Sequence, residues 1–305
     1  MNDFKKSSSS NVSITPKRDI VFKRLFGSKG SEGILKDFLE SILDIKIESL
    51  SLDLATELLP DFYDGKKSRI DVRAKLSDGT EVNIEVQSDV SKYSEERCLQ
   101  YWSKIYSNNL QEGGEYTDLK KTICIWILDG SVYKEFEDFQ SKWRIMNEKY
   151  RDLKRFQQLE FYIIELNKFR NSDIMKLNKL ESIEMNSGRK DFWLWFIDHT
   201  NWELINMACE KNDKIKEARE QLEKIKADKE LMEKIRLQEL AEWDYNTGMA
   251  RARREGIDEG KSIGLEEGKM NEKIITAKKM LTKNINIETI MELTELSREE
   301  IEKLK

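Results

Sequence analysis

Histidine is almost absent from this chain of 305 residues, which contains a single one, His199. Cysteine is also scarce: Cys98, Cys124 and Cys209 are scattered along the chain and form no CxxC pair. Structural zinc sites and metal centres built on several histidines need more ligands of this kind than the chain offers. A Ser-His-Asp triad would have to use His199, which lies in a run of aromatic residues, and we interpret it as a packing or helix-surface residue. Metal chemistry based on carboxylates survives this elimination.

Long hydrophobic runs are missing as well. The apolar stretch at residues 123–128 is far too short to span a bilayer. Residues 1–15 are rich in Ser, Asn and Lys without an apolar run, so we predict a disordered tail there and not a signal peptide. We therefore expect a cytoplasmic protein with no membrane contact.

The chain lacks an excess of positive charge: it has fewer basic than acidic residues, and its net charge is −5. This balance does not favour nonspecific binding to nucleic acid. Contacts to phosphate depend on cations within a screening length of about 8 Å, however, so local clusters matter more. Such clusters occur at Lys17, Arg18, Lys23, Arg24 and Lys29, and at Lys66, Lys67, Arg69 and Arg73. Two interpretations stay open, a phosphate-binding surface or an ordinary solvated one.

Residues 69–87 have the pattern of a β-hairpin. Apolar and polar residues alternate on both sides of residues 77–79, which predicts two strands around a three-residue loop with Gly79 in the left-handed conformation. Because side chains alternate between faces, burying both apolar sets on one face sets the register and places Val72 opposite Ile84.

The opposite face of this hairpin carries charge. Lys75 opposite Glu81 is a favourable pair, whereas Asp71 opposite Glu85 is not, because facing like charges destabilise a sheet by up to ~1 kcal/mol. A divalent cation would compensate, and Mg²⁺ prefers one or two carboxylates together with waters and phosphate oxygens. The alternative is that both acids lie at an exposed, fraying edge where water screens them.

Several sequence blocks follow one another in order along the chain. They are Asp19-Ile-Val-Phe-Lys23-Arg-Leu-Phe-Gly27, Ile84-Glu-Val-Gln87, Glu96-Arg97 with Tyr101-Trp102, and Glu165-Leu-Asn-Lys-Phe169. Together with Asp71, these blocks resemble the Rpn family of recombination-promoting nucleases and putative transposases, within the PD-(D/E)xK nuclease superfamily. The similarity runs from about residue 16 to 170 and reappears in the C-terminal tail.

The resemblance implies an α/β fold, with a restriction-endonuclease-like core of a mixed sheet flanked by helices and an all-helical C-terminal extension. It also implies an endonuclease that hydrolyses phosphodiester bonds in DNA with Mg²⁺, or with Mn²⁺ as a substitute, in recombination, mobile elements or defence. Asp71, Glu85 and the backbone carbonyl of Val86 are the implied metal ligands, and Gln87 completes the catalytic set. A glutamine in place of the usual lysine carries no charge. Arg69, opposite Gln87 in the predicted register, is a candidate for supplying that charge.

The resemblance further suggests which residues lie near nucleic acid. They are Asp19, Lys23, Arg69, Arg97 and Tyr101. Asp19 is open to two interpretations, an acidic group near the metal or a charge at a helix N-terminus. Arg97 and Tyr101 are four residues apart on one helix face, where they contact phosphate or act as a structural tether.

Two other functions stay open at this point. One is a nuclease-fold protein that binds nucleic acid or a partner protein with little or no cutting, which Gln87 and the acidic net charge favour. The other is cleavage of RNA, because no residue recognisably contacts a 2′-hydroxyl group.

Periodicity predicts the order of elements. We expect a helix over 17–43 broken near 27–33, a strand region over 45–54, a helix over 91–112, and strands over 123–128 and 161–166, with 133–158 ambiguous. We predict four segments: a tail (1–15), a nuclease domain (16–170), a helical subdomain with a charged helix (171–245) and a glycine-containing helix with a helical hairpin (246–305).

Glycines recur every four residues in the tail, at Gly256, Gly260, Gly264 and Gly268. Each costs a helix up to ~1 kcal/mol relative to alanine. We expect close helix packing, in a homodimer or onto the body of the chain, and a flexible linker is the alternative. Residues 286–305 predict a small helical hairpin, since too few basic residues support a DNA-reading helix-turn-helix.

Overall fold

The predicted hairpin lies within a mixed sheet. A computed structural model describes residues 14–53, 72–110, 113–177 and 179–304. Its strands are β1 (Leu50–Leu52), β2 (Val72–Leu76), β3 (Glu81–Gln87), β4 (Thr122–Leu128), β5 (Gln140–Arg144) and β6 (Leu159–Glu165). Within the described residues the strand order is β1-β2-β3-β4-β6-β5. β3, β4 and β6 run parallel, and the other neighbouring pairs are antiparallel.

The hairpin register is confirmed. Val72 pairs with Ile84 and Ala74 with Val82. The loop is closed by the Leu76 N–H, which donates to the carbonyl of Thr80 at 2.9 Å. Gly79 has φ +87°, the left-handed conformation that glycine adopts without a steric cost.

The centre of the sheet is covered on both faces. Every residue of β4 and of β6 is buried. The predicted strand at 123–128 is confirmed as β4, because an unbroken apolar run suits a parallel strand with helices on both sides. The predicted strand at 161–166 is confirmed as β6, displaced by one or two residues at its ends. The ambiguous stretch 133–158 contains the edge strand β5.

Helices surround the sheet and continue beyond it. They are α1 (Asp19–Phe26), α2 (Glu32–Leu43), α3 (Glu95–Asn108), α4 (Leu166–Arg170), α5 (Leu180–Asn186), α6 (Arg189–Asp198), α7 (Trp202–Lys211), α8 (Asp213–Ala227), α9 (Lys229–Thr282), α10 (Ile287–Thr294) and α11 (Arg298–Glu302). The predicted break in the first helix is confirmed, because α1 and α2 are separate.

One face of the sheet packs against the N-terminal helices. The even-numbered side chains of β3 are buried there, and α1 lies against β2 and β3. Phe22, Phe26, Phe38 and Trp193 form an aromatic cluster with ring centroids 4.5–6.4 Å apart. Aromatic pairs at these distances add to the free energy of burial, so this cluster ties α1, α2 and α6 together.

The other face packs against α3. Cys98, Tyr101 and Ile105 are the buried residues of that helix, and the first two join a core with Trp126 of β4. The predicted range 91–112 is wrong at both ends. The helix starts after Ser94, whose side chain accepts the N–H of Arg97 at 3.2 Å and so caps it.

Two further predictions have clear outcomes. The strand region predicted over 45–54 is limited to three residues, because β1 pairs with β2 only at Leu50–Leu52. The interpretation of His199 as a packing residue is confirmed. It ends α6 with φ +56° and its ring lies 5.1 Å from that of Trp202.

The described chain divides into two compact units, Met1–Glu233 and Lys234–Lys305. The first includes α8, in which Ile215, Ala218, Leu222 and Ile225 are buried. The boundaries predicted at 170/171 and 245/246 stay predictions. Among the described residues, no helix is both long and apolar enough to cross a membrane.

The second unit contains most of α9 together with α10 and α11. Ala277, Ile290, Leu296 and Ile301 form its core, which confirms a small helical hairpin at the end of the chain. The glycines every four residues lie inside α9. Among the described residues of this unit, no atom outside the local helix backbone lies within 4 Å of a Cβ added at these glycines, so packing inside the second unit does not account for them. Contact with a second copy or with the body of the chain stays a prediction.

Candidate functional site

Glu85 and Gln87 occupy the carboxyl-terminal half of β3, on the face that packs against α3. Glu85 is 3% exposed, and β3 lies between β2 and β4. The alternative of an exposed, fraying edge is therefore wrong for this residue. Its predicted partner Asp71, like Arg69, lies outside the described residues.

Asn83 lies on the same face, two residues before Glu85. Its Nδ2 donates to Glu85 Oε1 at 3.4 Å, and the side chain is fully buried. Its Oδ1 has no hydrogen-bond partner among the described residues. A buried acceptor without a donor costs free energy, so this oxygen is available to a cation or a donor near Glu85.

The positively charged guanidinium of Arg97 lies beside the side chain of Gln87. Its Nη1 donates to Gln87 Oε1 at 3.2 Å, and its Nη2 donates to the Tyr101 hydroxyl at 3.1 Å. The guanidinium carbon also lies 5.2 Å from the centroid of the Tyr101 ring and 5.4 Å from that of Trp126. Stacking on two rings keeps this cation in place. The four-residue spacing of Arg97 and Tyr101 in the first half of α3 was the sequence signal for this arrangement.

The bond from Arg97 orients the amide of Gln87. Because Oε1 accepts from the guanidinium, Nε2 is the end of the side chain left to donate. No described residue accepts a hydrogen bond from it. Gln87 and Arg97 together therefore supply a donor and a nearby charge, the two properties that a lysine at this position would combine.

Two cysteines near the site are chemically inert. Burial raises the pKa of the Cys98 thiol to about 12. Burial, followed by the negative charge of Glu85, raises the pKa of Cys124 well above its ordinary value. Both thiols stay protonated at neutral pH, so neither acts as a nucleophile or as a thiolate ligand.

The oxygen donors of the site fit a hard divalent cation. The described residues contain no cluster of three or more His, Cys, Asp or Glu side chains that could hold a metal. Mg²⁺ does not need such a cluster, because it keeps several waters and binds through one or two carboxylates. Glu85 and Asn83 Oδ1, which no described residue contacts by a hydrogen bond, are oxygen ligands of the right chemical type.

The N-terminal candidates lie on α1. Asp19 is exposed in the first turn, and its Oδ1 accepts the N–H of Ile20 at 2.7 Å. This geometry agrees with a charge at a helix N-terminus. Lys23 is half-buried one turn further on. A role of either residue at nucleic acid stays a prediction.

Two of the cations in the predicted phosphate-binding clusters, Lys17 and Arg73, form ion pairs within the protein. Lys17 Nζ lies 2.9 Å from Asp129 Oδ2 and 3.3 Å from Asp198 Oδ1. Arg73 lies 3.3 Å from Glu81, closer than Lys75 Nζ at 3.9 Å, so the predicted Lys75–Glu81 pair is the weaker of the two.

Sequence reasoning missed Asp129. This residue follows β4, and its N–H donates to the carbonyl of Gln87 at 3.0 Å. Its carboxylate binds Lys17 and Arg170, and Arg170 Nε also donates to Asp198 at 3.0 Å. Asp129, Lys17, Arg170 and Asp198 thus form a cluster of four charged residues, which is joined to the end of β3 through the Asp129 N–H. No pattern in the sequence pointed to it, because its members are distant along the chain.

The comparisons with known proteins agree with this architecture. A sequence model described as PD-(D/E)XK nuclease family transposase matches residues 16–252. Searches of curated proteins and of solved structures returned no match. The match covers more than half of the chain and includes the sheet, α3 and every described residue of the site. The chain therefore belongs to the PD-(D/E)XK nuclease family transposases.

Proposed function

We propose that this protein is a Mg²⁺-dependent DNA endonuclease, with the role in recombination, mobile elements or defence that the resemblance to Rpn proteins implies. The observation that carries the proposal is Glu85, a carboxylate buried on an internal strand of a nuclease-family chain, beside an amide oxygen that has no hydrogen-bond donor among the described residues. Glu85, with Asp71 and the carbonyl of Val86, would hold the metal. When bound, Mg²⁺ polarises the scissile phosphate and lowers the pKa of a water.

Gln87 and Arg97 have separate tasks in this proposal. Gln87 donates from Nε2 and orients the attacking water or a phosphate oxygen. Arg97 supplies positive charge where negative charge develops on the phosphoryl group. Both side chains are held before substrate arrives, by the hydrogen bond between them and by the rings of Tyr101 and Trp126.

The direct test is nicking of supercoiled plasmid with Mg²⁺. We expect Glu85→Gln and Asp71→Asn to lower the rate by more than about 100-fold, because loss of a residue that only supports a metal ligand already costs 10–100-fold. Asp191→Asn is the matched control, a buried carboxylate away from the site whose Oδ2 accepts the N–H of Gly188 at the start of α6. Nicking by Glu85→Gln at the wild-type rate would reject the site.

Arg97→Gln separates charge from metal binding. We expect it to keep the rise in melting temperature on adding Mg²⁺, which follows from metal binding to the folded state. We expect kcat to fall by about 100-fold with little change in KM, the size typical of removing one electrostatic donor to a transition state. Arg97→Lys should not restore activity, because an ammonium cannot stack on two rings in the same way.

A second candidate function is binding without cutting. Gln87 favours it, because the usual motif has a charged residue at this position. Wild-type protein that shows neither nicking nor a Mg²⁺-dependent melting shift would support this alternative and reject the endonuclease.

A further inference from the structure

A basic surface of the first unit lies away from Glu85. Residues 142–157, here named the basic segment, contain six Lys or Arg and two acidic residues, in a chain whose net charge is −5. The segment comprises the end of β5 and the loop that leads to β6. Every residue of it is exposed.

Most of these cations lack an acidic partner. Lys142 Nζ lies 3.2 Å from Glu160. Across the described parts of the chain, no carboxylate lies within ion-pair distance of the other five, which are Arg144, Lys149, Arg151, Lys154 and Arg155. Lys17 and Arg73 near the site, by contrast, are paired with acids. The basic segment therefore keeps its charge available to an external anion.

Aromatic rings are interleaved with these cations. Trp143 is 42% exposed, Tyr150 57% and Phe156 72%. Phe156 also has φ +50°, a conformation rare for a bulky residue. Local hydrogen bonds hold the loop that contains these rings. Among them, the backbone N–H groups of Lys149 and Tyr150 both donate to Asn147 Oδ1. The rings of Tyr150 and Phe156 are outside the core and leave most of their area to solvent.

A series of ring contacts connects this surface to the site. Trp126, which lies under Arg97, contacts Tyr93 at 5.7 Å between centroids. Tyr93 contacts Tyr133 at 6.4 Å, and Tyr133 contacts Trp143 at 5.3 Å. The basic segment is thus reached from Gln87 along one face of the sheet. Strand spacings put the two regions on the order of 20 Å apart.

We propose that the basic segment binds single-stranded DNA. Unpaired cations would follow the phosphate backbone, and exposed rings would stack on unpaired bases, the combination found in proteins that bind single strands. A duplex keeps its bases stacked inside and offers no face to Tyr150 or Phe156. The proposal rests on the proposed function only for DNA as the ligand. It assigns a second contact, through which an unpaired strand next to the cutting site would be held.

Anisotropy of a labelled oligothymidine provides the test, with full-length Glu85→Gln protein and EDTA so that nothing is cut. An oligomer of about 16 nucleotides reaches the upper end of known site sizes. We expect Tyr150→Ala and Phe156→Ala each to raise Kd at least about fivefold for the single strand. Both should leave Kd for a duplex of equal length unchanged. Tyr116→Ala, which removes a ring that is 84% exposed elsewhere, is the matched control and should have no effect.

The charges are tested separately. We expect the combined Arg151→Gln, Lys154→Gln and Arg155→Gln variant to lower the slope of log Kd against log salt by about 2, close to 0.7 for each phosphate that is no longer neutralised. Lys46→Gln, Lys179→Gln and Lys224→Gln together remove three exposed cations elsewhere and should leave the slope unchanged.

Three outcomes would overturn the proposal. They are absence of single-strand binding by the parent protein, an equal loss of affinity in the control variants, and a loss for duplex as large as for single strand. The first outcome would favour a protein as the partner of the basic segment. None of these measurements depends on nicking, so a failure here is distinguishable from a failure of the endonuclease proposal.

Discussion

Single residues of the site show how neighbours determine the chemistry of a side chain. Gln87 alone is a weak replacement for lysine, but in the structure it is joined to Arg97. The sequence indicated Arg69 as the source of the positive charge that Gln87 lacks, because the predicted hairpin register placed Arg69 opposite Gln87. Arg97 comes from a helix, and only the packing of α3 on the sheet brings it to Gln87. The spacing of Arg97 and Tyr101 predicted one helix face, but not which strand that face meets.

His199 allows a test of stability at this scale. Burial, followed by the charge of Lys226, lowers its pKa below the ordinary value. The folded state therefore disfavours the charged ring, so the unfolded chain binds a proton first as the pH falls. Stability should drop as the pH falls from about 6.5 towards the lower pKa of the folded protein.

His199→Asn should remove this decrease in stability and keep the left-handed conformation, which asparagine tolerates. The measurement is the midpoint of urea unfolding at pH 7.5 and 5.5. Because His199 is the only histidine, a pH dependence that is equal in both proteins would contradict the prediction.

Elements differ in how well their own sequence defines them. The hairpin of β2 and β3 followed from alternation and one glycine. β4 followed from an unbroken apolar run, as expected for a strand buried on both faces. The edge strand β5 did not, because its residues are half-buried or exposed and its pairing with β6 comes from a partner that follows it in the chain. The start of α3 was misplaced, because capping by Ser94 outweighed the apolar spacing around it.

Gly79 tests the hairpin loop. Gly79→Ala should destabilise the protein by about 1–2 kcal/mol, because a Cβ is disfavoured at positive φ. The added Cβ would also lie 3.0 Å from Lys120 Cγ. That neighbour is a flexible side chain, so we expect Gly79→Ala with Lys120→Ala to remain destabilised in chemical unfolding. Recovery in the double variant would assign the cost to Lys120 and not to the backbone.

The whole molecule is organised as two compact units, and the glycines of α9 belong to the second. Gly256→Ala and Gly260→Ala should each stabilise the helix by about 0.5–1 kcal/mol, because an added Cβ meets no atom among the described residues. Thermal unfolding followed by circular dichroism measures this effect. Sedimentation velocity of the same variants tests the predicted homodimer. Destabilisation together with a lower mass would show that the glycines contact a second copy.

The sequence by itself determined the hairpin register, the buried central strand, the break between α1 and α2, and the family. These features depend on local alternation, on turn residues and on motifs a few residues long. The tertiary structure decided which charges are free. It paired Lys17 and Arg73 with acids, brought Arg97 to Gln87 and left most cations of the basic segment without acidic partners among the described residues. Whether a cation forms an ion pair depends on residues that are distant in the chain and come into contact only when the helices pack on the sheet. No local sequence pattern predicts such contacts.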